Sequence, residues 1–330
     1  MPNHNMKAAQ IDRYGDSKVV EIKQNAPPPP KPSTDKILVD IKAAGVNPVD
    51  WKIREGHMQQ MIHLQFPSTL GMDFSGVINQ VGEGQEEEGQ ELSTDFKQGD
   101  EVYGQAAVPS GGSGAFAEIA LTKADSIAPK PKSLNHFEAA ALPLVGVSAW
   151  QALVENMNLS NGQRILIHGG AGGIGSIAIQ LAKNLGAYVA TTVSADDKQF
   201  VQDLGADEII DYKIQAFEYV LREYDAVFDT VGGDTYTKSF NILKKGNGGN
   251  GGILVSMLEQ PNKELLEQFG VKAVFLFTQV NRERLTQLGQ WVDQNNIKVH
   301  VDRTFSIDDA AKALDYVKDV RPRGKVVLEI

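Results

Sequence analysis

The sequence predicts an α/β protein in which a doubly wound parallel sheet is joined to a second, mostly β region. Residues 165–187 combine an apolar strand, a glycine-dense turn and an amphipathic helix in direct succession. Residues 7–131 instead contain short strands punctuated by glycine and proline. Beyond the turn, apolar segments typical of buried strands alternate with helical ones, at 187–192, 208–211, 225–229, 252–256 and 272–277. We therefore expect a parallel sheet of about six strands after a β-rich N-terminal part.

The remaining elements follow from the same periodicity. A helical segment at 138–156 leads into the glycine-dense turn. Pro27–Pro30 predicts an extended linker, with a partner-docking segment as the alternative. Glutamates 86–88 predict a solvated loop, and the glycine-rich stretch 246–252 a flexible turn. The chain is expected to close with a helix at 284–295, an extended segment at 299–305, a helix at 308–318 and a strand at 325–330.

Composition excludes several classes of function. The 330 residues include 32 basic and 42 acidic side chains, and a net charge of −10 does not suit a nucleic-acid partner. Cysteine is absent, so disulfides and thiolate metal ligands are excluded. The six histidines have neither H-x-H nor H-E-x-x-H spacing, and no metal site is predicted. Because no apolar stretch is long enough to span a bilayer and the polar start lacks a signal-like core, we expect a cytoplasmic protein without a membrane span.

The turn after the first strand of the second region matches the pattern G-x-G-x-x-G. Its first glycine permits the tight turn, its second lets backbone N–H groups approach a pyrophosphate, and its third lets the helix pack close to the strand. The helix N-terminus adds a favourable field for phosphate charge, and Gly186 is expected to end the helix. We interpret the turn as a dinucleotide site; glycines that only allow close packing are the alternative. The residues expected at the cofactor are Gly170, Ala171, Gly172, Gly173, Ile174 and Gly175.

Further segments occur in the order in which one enzyme superfamily carries them. They are AAGVNPVDWKIREG at 43–56, FPSTLGMDFSGVINQVG at 66–82, FKQGDEVYG at 96–104, GAFAEIAL at 114–121, AAALPLVGVSAWQAL at 139–153, LGADEIIDY at 204–212, DAVFDTVGG at 225–233 and RGKVVLEI at 323–330. On these segments and the glycine turn, the chain resembles the zinc-free branch of the medium-chain dehydrogenase/reductase superfamily. That branch comprises NADPH-dependent quinone oxidoreductases and enone (alkenal) reductases, and the resemblance covers nearly the whole chain.

The resemblance implies a domain layout and an assembly. A GroES-like, mostly β domain is expected at 1–131 and is completed by 283–330, while a Rossmann dinucleotide-binding domain occupies 132–282. Residues 272–277 would form an apolar edge strand, and related proteins commonly dimerise through it, so we expect a homodimer. The expected substrate is a small quinone or enone.

The resemblance also implies the loss of the metal that other branches carry. The zinc ligands of those relatives correspond here to Asn47, Met72 with Asp73, and Leu144, and the cysteine-rich loop of their structural zinc has no counterpart between 103 and 117. Without a Lewis acid, the expected acceptors are already activated toward hydride, namely quinones and conjugated enones. Hydrogen-bond donors of the protein would then stabilise the developing enolate oxygen.

The choice between NADP(H) and NAD(H) depends on residues about 20 positions after the glycine turn, where NAD sites carry a carboxylate. Thr192 stands at that distance from Gly172, which favours NADP(H). The resemblance implies that Ser194 binds the 2′-phosphate and that Tyr212 packs on the adenosine, with Lys198 as the nearest cation and Arg321 as a second. Two alternatives stay open: Ser194 and Asp197 also fit a helix capping box, and Asp196 or Asp197 could reach the ribose of NAD.

At the nicotinamide end, the resemblance implies contacts from Asn47, Val145, Ser148, Thr230, Val231 and Gly232. Asn47 and Lys52 are the expected catalytic residues, because a lysine in a partly desolvated site can donate a charge-assisted hydrogen bond to a carbonyl oxygen. The alternatives are a turn-forming Asn47, a buried Ser148 bonded to its own backbone, and a surface Lys52. We expect His168 to be structural, while Trp51 fits either a planar substrate or the core. The competing function is a nucleotide-binding scaffold or sensor with little turnover.

Overall fold

The computed structural model describes residues 5–82, 95–246 and 250–330. The chain divides into two compact units: a first unit of Met1–Leu144 together with Val280–Ile330, and a second unit of Val145–Gln279. The predicted loop at 86–88 and residues 247–249 of the predicted turn at 246–252 lie outside the described residues.

The N-terminal part of the first unit consists of short strands and two short helices. In chain order they are β1 Met6–Ile11, β2 Val20–Ala26, β3 Lys36–Val46, α1 Pro48–Arg54, β4 Ser68–Thr69, β5 Asp73–Val81, β6 Glu101–Gln105, β7 Ile119–Lys123, β8 Ile127–Pro129 and α2 His136–Ala140. Helix α1 begins directly after β3, because Pro48 supplies a helical φ and the Asp50 carboxylate accepts the backbone N–H of Asn47.

The second unit alternates strands and helices. Its elements are α3 Pro143–Trp150, which starts at the end of the first unit, β9 Arg164–His168, α4 Gly173–Asn184, β10 Tyr188–Val193, α5 Lys198–Asp203, β11 Glu208–Asp211, α6 Phe217–Val220, β12 Ala226–Asp229, α7 Asp234–Ser239, β13 Ile253–Ser256, α8 Lys263–Phe269 and β14 Lys272–Phe275. Gly186 has a left-handed φ of +82° just beyond α4, as expected of a residue that ends a helix.

The strands of the second unit form a six-stranded parallel sheet in the order β11-β10-β9-β12-β13-β14. This is the strand order of a Rossmann fold, so the predicted doubly wound sheet is confirmed. Strand β9 lies between β10 and β12, and its residues Ile165, Leu166 and Ile167 are fully buried. A continuous apolar run is the pattern that a strand covered on both faces requires.

The helical segment predicted at 138–156 is helical but interrupted. Helix α2 ends at Ala140, and α3 begins at Pro143. Proline has no N–H for the preceding turn, which explains the interruption. From Gln151 to Asn156 the chain continues as a π-helix.

The C-terminal segment returns to the first unit with α9 Arg282–Asn295, β15 Val301–Ser306, α10 Ala310–Asp319 and β16 Lys325–Glu329. Strands β15, β16, β3, β5, β6 and β8 follow one another in one sheet, with β7 also paired to β3. A second sheet of the unit has the order β2-β1-β4. The C-terminal strand β16 therefore completes the sheet that the N-terminal part begins.

The limits of the units differ from the expected domain limits after 131 and before 283. The first unit extends to Leu144 because α2 packs on β3, β5 and β16 of its sheet. The expected limits came from the resemblance and from changes in sequence pattern, neither of which shows which strands a short helix covers.

Candidate functional site

The glycine turn joins β9 to α4 at the carboxyl edge of the parallel sheet. At Gly175, a Cβ would lie 2.3 Å from a backbone atom, the carbonyl oxygen of Gly169. A Cβ on Gly170 would lie 2.1 Å from Oγ1 of Thr191. At Gly172, by contrast, the nearest atom to a Cβ is the Gly169 oxygen at 3.4 Å, an ordinary contact. The protein itself therefore requires glycine at 170 and 175, but leaves the space beside Gly172 open.

This geometry fits the pyrophosphate of a dinucleotide. Gly172 is the N-cap of α4, and no side chain caps the helix there. The first N–H groups of an α-helix have no partner within the helix, and together with the helix dipole they favour an anion. The structure thus brings together the predicted residues Gly170, Ala171, Gly172, Gly173, Ile174 and Gly175 in one turn at the start of α4.

A buried chain of hydrogen bonds connects the start of the glycine turn with β10 and α7. Oγ1 of Thr192 accepts the backbone N–H of Gly169 at 3.2 Å and lies 3.1 Å from Nδ1 of His168. Nε2 of His168 lies 3.0 Å from Oγ of Ser239. Burial lowers the pKa of His168 to about 4, so the imidazole is neutral at neutral pH. His168 is therefore a structural residue in this chain, as its position in the sequence indicates.

The predicted 2′-phosphate residues lie at the ends of β10 and β11, which are adjacent strands. Ser194 follows β10, and its hydroxyl donates to Oδ2 of Asp197 at 3.0 Å. Nζ of Lys198 lies 3.6 Å from Oδ2 of Asp211, whose side chain is 4% exposed. Tyr212 is exposed beside that pair. Ser194 does not cap the following turn with its side chain, so the capping-box alternative holds only for its contact with Asp197.

The segment Thr230–Gly232 follows β12 and reaches the same edge of the sheet. The hydroxyl of Thr230 donates to the carbonyl oxygen of His168 at 2.8 Å. Oδ1 of the buried Asp229 accepts the backbone N–H groups of Val231 and Gly232 at 3.0 and 2.9 Å. Sequence reasoning missed Asp229, although an aspartate that ends a strand just before Thr-Val-Gly-Gly is a recognisable turn signal.

Helix α3 carries two further predicted cofactor residues, Val145 and Ser148, and both are buried. The hydroxyl oxygen of Ser148 lies 2.6 Å from that of Thr278. Thr278 follows β14, so this contact holds α3 against the end of the parallel sheet in the second unit.

The first unit contains a buried polar cluster around Asn47. The side-chain amide of Asn47 donates to Oδ2 of Asp73 at 2.9 Å, and its oxygen accepts from Nζ of Lys325. Lys325 also donates to the carbonyl oxygen of Val46 at 2.6 Å. Asp50, in the first turn of α1, accepts the Asn47 backbone N–H at 2.7 Å. We call Asn47, Asp50, Asp73 and Lys325 the Asn47 cluster.

Burial dominates the electrostatics of the Asn47 cluster. It raises the pKa of Asp50 to about 7 and also raises the pKa of Asp73, while it lowers the pKa of Lys325. The charge of Lys325 partly offsets the shift of Asp73, which also accepts hydrogen bonds from the Gln105 side chain at 2.7 Å and the Leu144 backbone at 3.1 Å. Oδ1 of Asp50 is buried and has no hydrogen-bond partner within the part of the chain that the structure describes.

The residues at the positions of the zinc ligands of other branches do not fit a zinc ion. The Asn47 amide oxygen already accepts from the Lys325 ammonium group, and Met72, Asp73 and Leu144 do not supply the thiolate and imidazole donors that zinc prefers. In the described ranges 5–82, 95–246 and 250–330, no group of three or more His, Cys, Asp or Glu side chains is arranged to hold a metal.

Lys52 lies outside the Asn47 cluster, although both belong to the segment around α1. Its ammonium group lies 5.8 Å from the ring centroid of Trp51, and Lys318 approaches the same ring at 5.3 Å. Lys52 is half-buried and, among the described residues, makes no hydrogen bond or ion pair with its side chain. Trp51 packs against the core of the first unit, which favours the core interpretation of that residue.

Arg321, the second predicted cation, lies in the first unit between α10 and β16. It is exposed and has a left-handed φ of +55°.

The first unit also contains a mostly apolar pocket, lined by Asp50, Ile53, Leu64, Thr69, Leu70, Gly71, Met72, Val108 and Pro109. Across the described ranges, no helix is both long and apolar enough to cross a membrane.

Comparison with known proteins identifies the family of the chain. The alcohol dehydrogenase GroES-like domain model matches residues 33–132, and the zinc-binding dehydrogenase model matches residues 204–328. The mouse (Mus musculus) mitochondrial NAD(P)H oxidoreductase RTN4IP1 is 32% identical, with 98% of this chain and 89% of that protein covered. The NADPH-dependent alkenal/one oxidoreductase of Arabidopsis thaliana chloroplasts is 31% identical, with 98% and 79% covered.

A solved structure agrees with the sequence matches. The quinone oxidoreductase from Coxiella burnetii superposes with a TM-score of 0.83 at 32% identity, and 99% of each chain is covered. Because 99% of the chain is covered, the similarity spans both units. The chain belongs to the medium-chain dehydrogenase/reductase superfamily, in its branch of quinone oxidoreductases and enone reductases.

Proposed function

We propose that this chain is an oxidoreductase that uses NADP(H) and transfers hydride to quinones or to α,β-unsaturated carbonyl compounds. The observation that carries the proposal is the glycine turn at the start of α4, which is open beside Gly172 and closely packed at Gly175. Relatives of the same family, named as an alkenal/one oxidoreductase that depends on NADPH and as a quinone oxidoreductase, support the choice of cofactor and acceptor.

The residues around the parallel sheet would hold the cofactor. The turn at 170–175 would bind the pyrophosphate through backbone N–H groups, while Thr230, Val231 and Gly232 would line the nicotinamide end. As the resemblance implies, we assign Val145 and Ser148 to that end and Ser194 and Tyr212 to the adenosine end, with Lys198 and Arg321 as the candidate cations for the 2′-phosphate. When bound, the reduced nicotinamide supplies the hydride.

We propose Lys52 as the catalytic donor of the first unit and Asn47 as a positioning residue. Reduction of an enone at its β-carbon places negative charge on the carbonyl oxygen, and a fixed donor lowers the energy of that charge. The ammonium group of Lys52 has no competing ion pair among the described residues, so it is available for such an oxygen. The amide of Asn47 is held in one orientation by Asp73 and Lys325, which suits a positioning role.

The test is acceptor-dependent oxidation of NADPH by the purified chain. We expect oxidation to begin when a simple quinone or a conjugated enone is added, and to remain slow with a saturated ketone as the matched control. Binding of NADPH without any acceptor-dependent oxidation would overturn the proposal and favour a scaffold or sensor.

We also propose that the chain forms a homodimer through the edge of its parallel sheet. Strand β14 is an edge strand, its residues Val274 and Phe275 are only partly buried, and Phe277 beyond it is 57% exposed. A cytoplasmic location remains part of the proposal, and the RTN4IP1 relatives are named as mitochondrial proteins. Sedimentation over a range of protein concentrations tests the dimer, and a monomer at all of them would contradict it.

A further inference from the structure

Arg54, the last residue of α1, is a buried arginine that contacts two carboxylates. Its side chain is 1% exposed. Nη1 donates to Oδ1 of Asp315 on α10 at 2.8 Å, and Nη2 donates to Oε1 of Glu55 at 2.6 Å. A planar guanidinium group carries donors on each branch of its fork, so one arginine can hold two carboxylates at once. Arg54 therefore connects the end of α1 to α10 and holds the side chain of Glu55.

Glu55 has a second partner on α10. Nζ of Lys318 donates to the same oxygen, Oε1, at 2.8 Å. The hydrogen bond from Lys318, together with that from Arg54, holds the pKa of Glu55 below its ordinary value, so this side chain is a carboxylate at neutral pH. The side chain of Lys318 is 38% exposed, whereas that of Arg54 is buried. Because a charge is screened less when it is buried, Arg54 is the stronger of the two partners.

Glu55 is also the carboxylate that the helix places beside Lys52. The two residues are three positions apart, and Glu55 keeps a helical backbone with φ −82° and ψ −3°. Side chains at positions i and i+3 of a helix are neighbours and can form an ion pair. The ammonium group of Lys52 instead lies 5.8 Å from the ring centroid of Trp51, and among the described residues Lys52 forms no ion pair. The carboxylate placed to neutralise Lys52 is thus bound to other cations.

An ion pair at Lys52 would weaken its action in the proposed reaction. An ammonium group that already faces a carboxylate offers less attraction to the charge that develops on a substrate oxygen. We propose that Arg54 is a positioning residue that holds Glu55 away from Lys52 and so leaves the Lys52 ammonium group available to the substrate. This inference rests on the proposed function, because it requires Lys52 as the donor to that oxygen.

The test is single-turnover hydride transfer from saturating NADPH to cyclohexenone in a stopped-flow instrument. Arg54→Met releases Glu55 and should slow transfer about three- to tenfold, as expected when a partly exposed ion pair captures Lys52. Adding Glu55→Gln to this variant removes the capturing charge, so the rate should return to within about 1.5-fold of the wild-type rate. Glu55→Gln alone is the matched control and should stay within about 1.5-fold of the wild type.

The rescue separates positioning from a contribution to stability. If Arg54 were only structural, Arg54→Met with Glu55→Gln would be as slow as Arg54→Met alone, and that result would overturn the inference. An unchanged rate in Arg54→Met would overturn it as well. In the Lys52→Met background, Arg54→Met should cause less than about twofold further slowing, because its effect acts through Lys52. Absence of hydride transfer by the wild-type chain to enones and quinones alike would instead refute the proposed function.

Arg54→Lys serves where Arg54→Met does not fold, because it keeps the buried charge. A single ammonium group lacks the planar fork that reaches Asp315 and Glu55 together. Arg54→Lys should therefore slow transfer to the enone about two- to threefold, and Glu55→Gln should restore the rate. Equal rates in Arg54→Lys with and without Glu55→Gln would contradict the inference.

Discussion

The glycine turn of the second unit and the Asn47 cluster of the first unit are built in opposite ways. The turn presents backbone N–H groups of a helix start, uncapped by any side chain, with open space beside Gly172. The Asn47 cluster consists of side chains, three of them ionisable, and none of its members is more than 5% exposed. Its amide, both oxygens of Asp73 and the ammonium group of Lys325 all have partners within the first unit.

This difference indicates that the turn is built to bind a ligand and that the Asn47 cluster is built to stabilise the fold. A surface that is to hold a ligand must leave hydrogen-bonding groups available, as the turn does. A buried charged cluster is stable only if its groups satisfy one another, because an uncompensated buried charge is strongly unfavourable. Changes at the open part of the turn beside Gly172 should therefore alter ligand affinity with little effect on folding, and changes in the Asn47 cluster should alter folding first.

The largest expected effect comes from removing the buried ammonium group. Lys325→Met leaves Asp73 with one less compensating charge and leaves the oxygens of Asn47 and Val46 without their donor. We expect a loss of about 3–5 kcal/mol in the free energy of unfolding, measured by urea denaturation.

The control for this variant is Lys312→Met. Lys312 pairs with Asp309 on the surface, and its side chain is 75% exposed. Surface pairs of this kind contribute about 0–1 kcal/mol. If Lys325→Met and Lys312→Met lowered the free energy of unfolding equally, the Asn47 cluster would not stabilise the fold as we propose.

The next effect is a pH dependence of opposite sign in the two units. His168 has a folded pKa of about 4 against an ordinary value of 6.5, so the unfolded chain binds a proton that the folded one excludes. The contribution of neutral His168 to the free energy of unfolding is complete above pH 6.5 and falls by on the order of 3 kcal/mol as the pH drops toward 4. Asp50 has a folded pKa of about 7 against 3.8, so its contribution is complete at low pH and is lost as the pH rises from 3.8 to 7.

Hydrogen exchange resolved by peptide separates these two contributions. On acidification from pH 6.5 to 4.5, protection of β9 should fall while that of β3 is maintained or rises. His168→Gln should make the protection of β9 less dependent on pH, and His63→Gln, at an exposed residue, should not. Parallel slopes in both strands and in both variants would contradict the assignment.

The smallest of these effects distinguishes two glycines of the same turn. Gly175→Ala forces a Cβ against backbone atoms of Gly169 and Gly170, so it should lower the free energy of unfolding by about 1–3 kcal/mol. Gly172→Ala meets nothing closer than 3.4 Å, so the fold should tolerate it within about 1 kcal/mol.

Cofactor binding should show the reverse. The methyl group of Gly172→Ala occupies the space in which a pyrophosphate would approach, and we expect NADP⁺ affinity to fall about 10- to 100-fold. Calorimetry on the folded variant measures this. Unchanged affinity in Gly172→Ala would show that the pyrophosphate does not use the turn.

The glycine turn was predictable because its function depends on spacing along one continuous segment. Strand, turn and helix occupy residues 164–184 in the predicted succession, and the sheet has the predicted six parallel strands. The same is true of the residue Gly186, which must have a positive φ to end α4.

The Asn47 cluster was not predictable in the same way. Asn47 and Lys325 are separated by 278 positions, and only the antiparallel pairing of β16 with β3 brings them together. Asp229 carries a turn signal in the sequence, but the two backbone N–H groups that it accepts are identified only in the folded turn. The sequence also could not show that Lys198 would pair with Asp211, because that contact depends on β10 and β11 lying side by side.

The measurement that tests the central claim most directly is single-turnover hydride transfer in a stopped-flow instrument with saturating NADPH. Lys52→Met should slow reduction of an enone about 100- to 1000-fold, because it removes the donor to the developing oxygen charge, and should slow reduction of a quinone less. Lys318→Met is the matched control, since Lys318 approaches the same Trp51 ring but is paired with Glu55. We predict that Lys318→Met keeps the wild-type rate. Transfer to the enone at the wild-type rate in Lys52→Met would contradict the account and make Lys52 a surface residue.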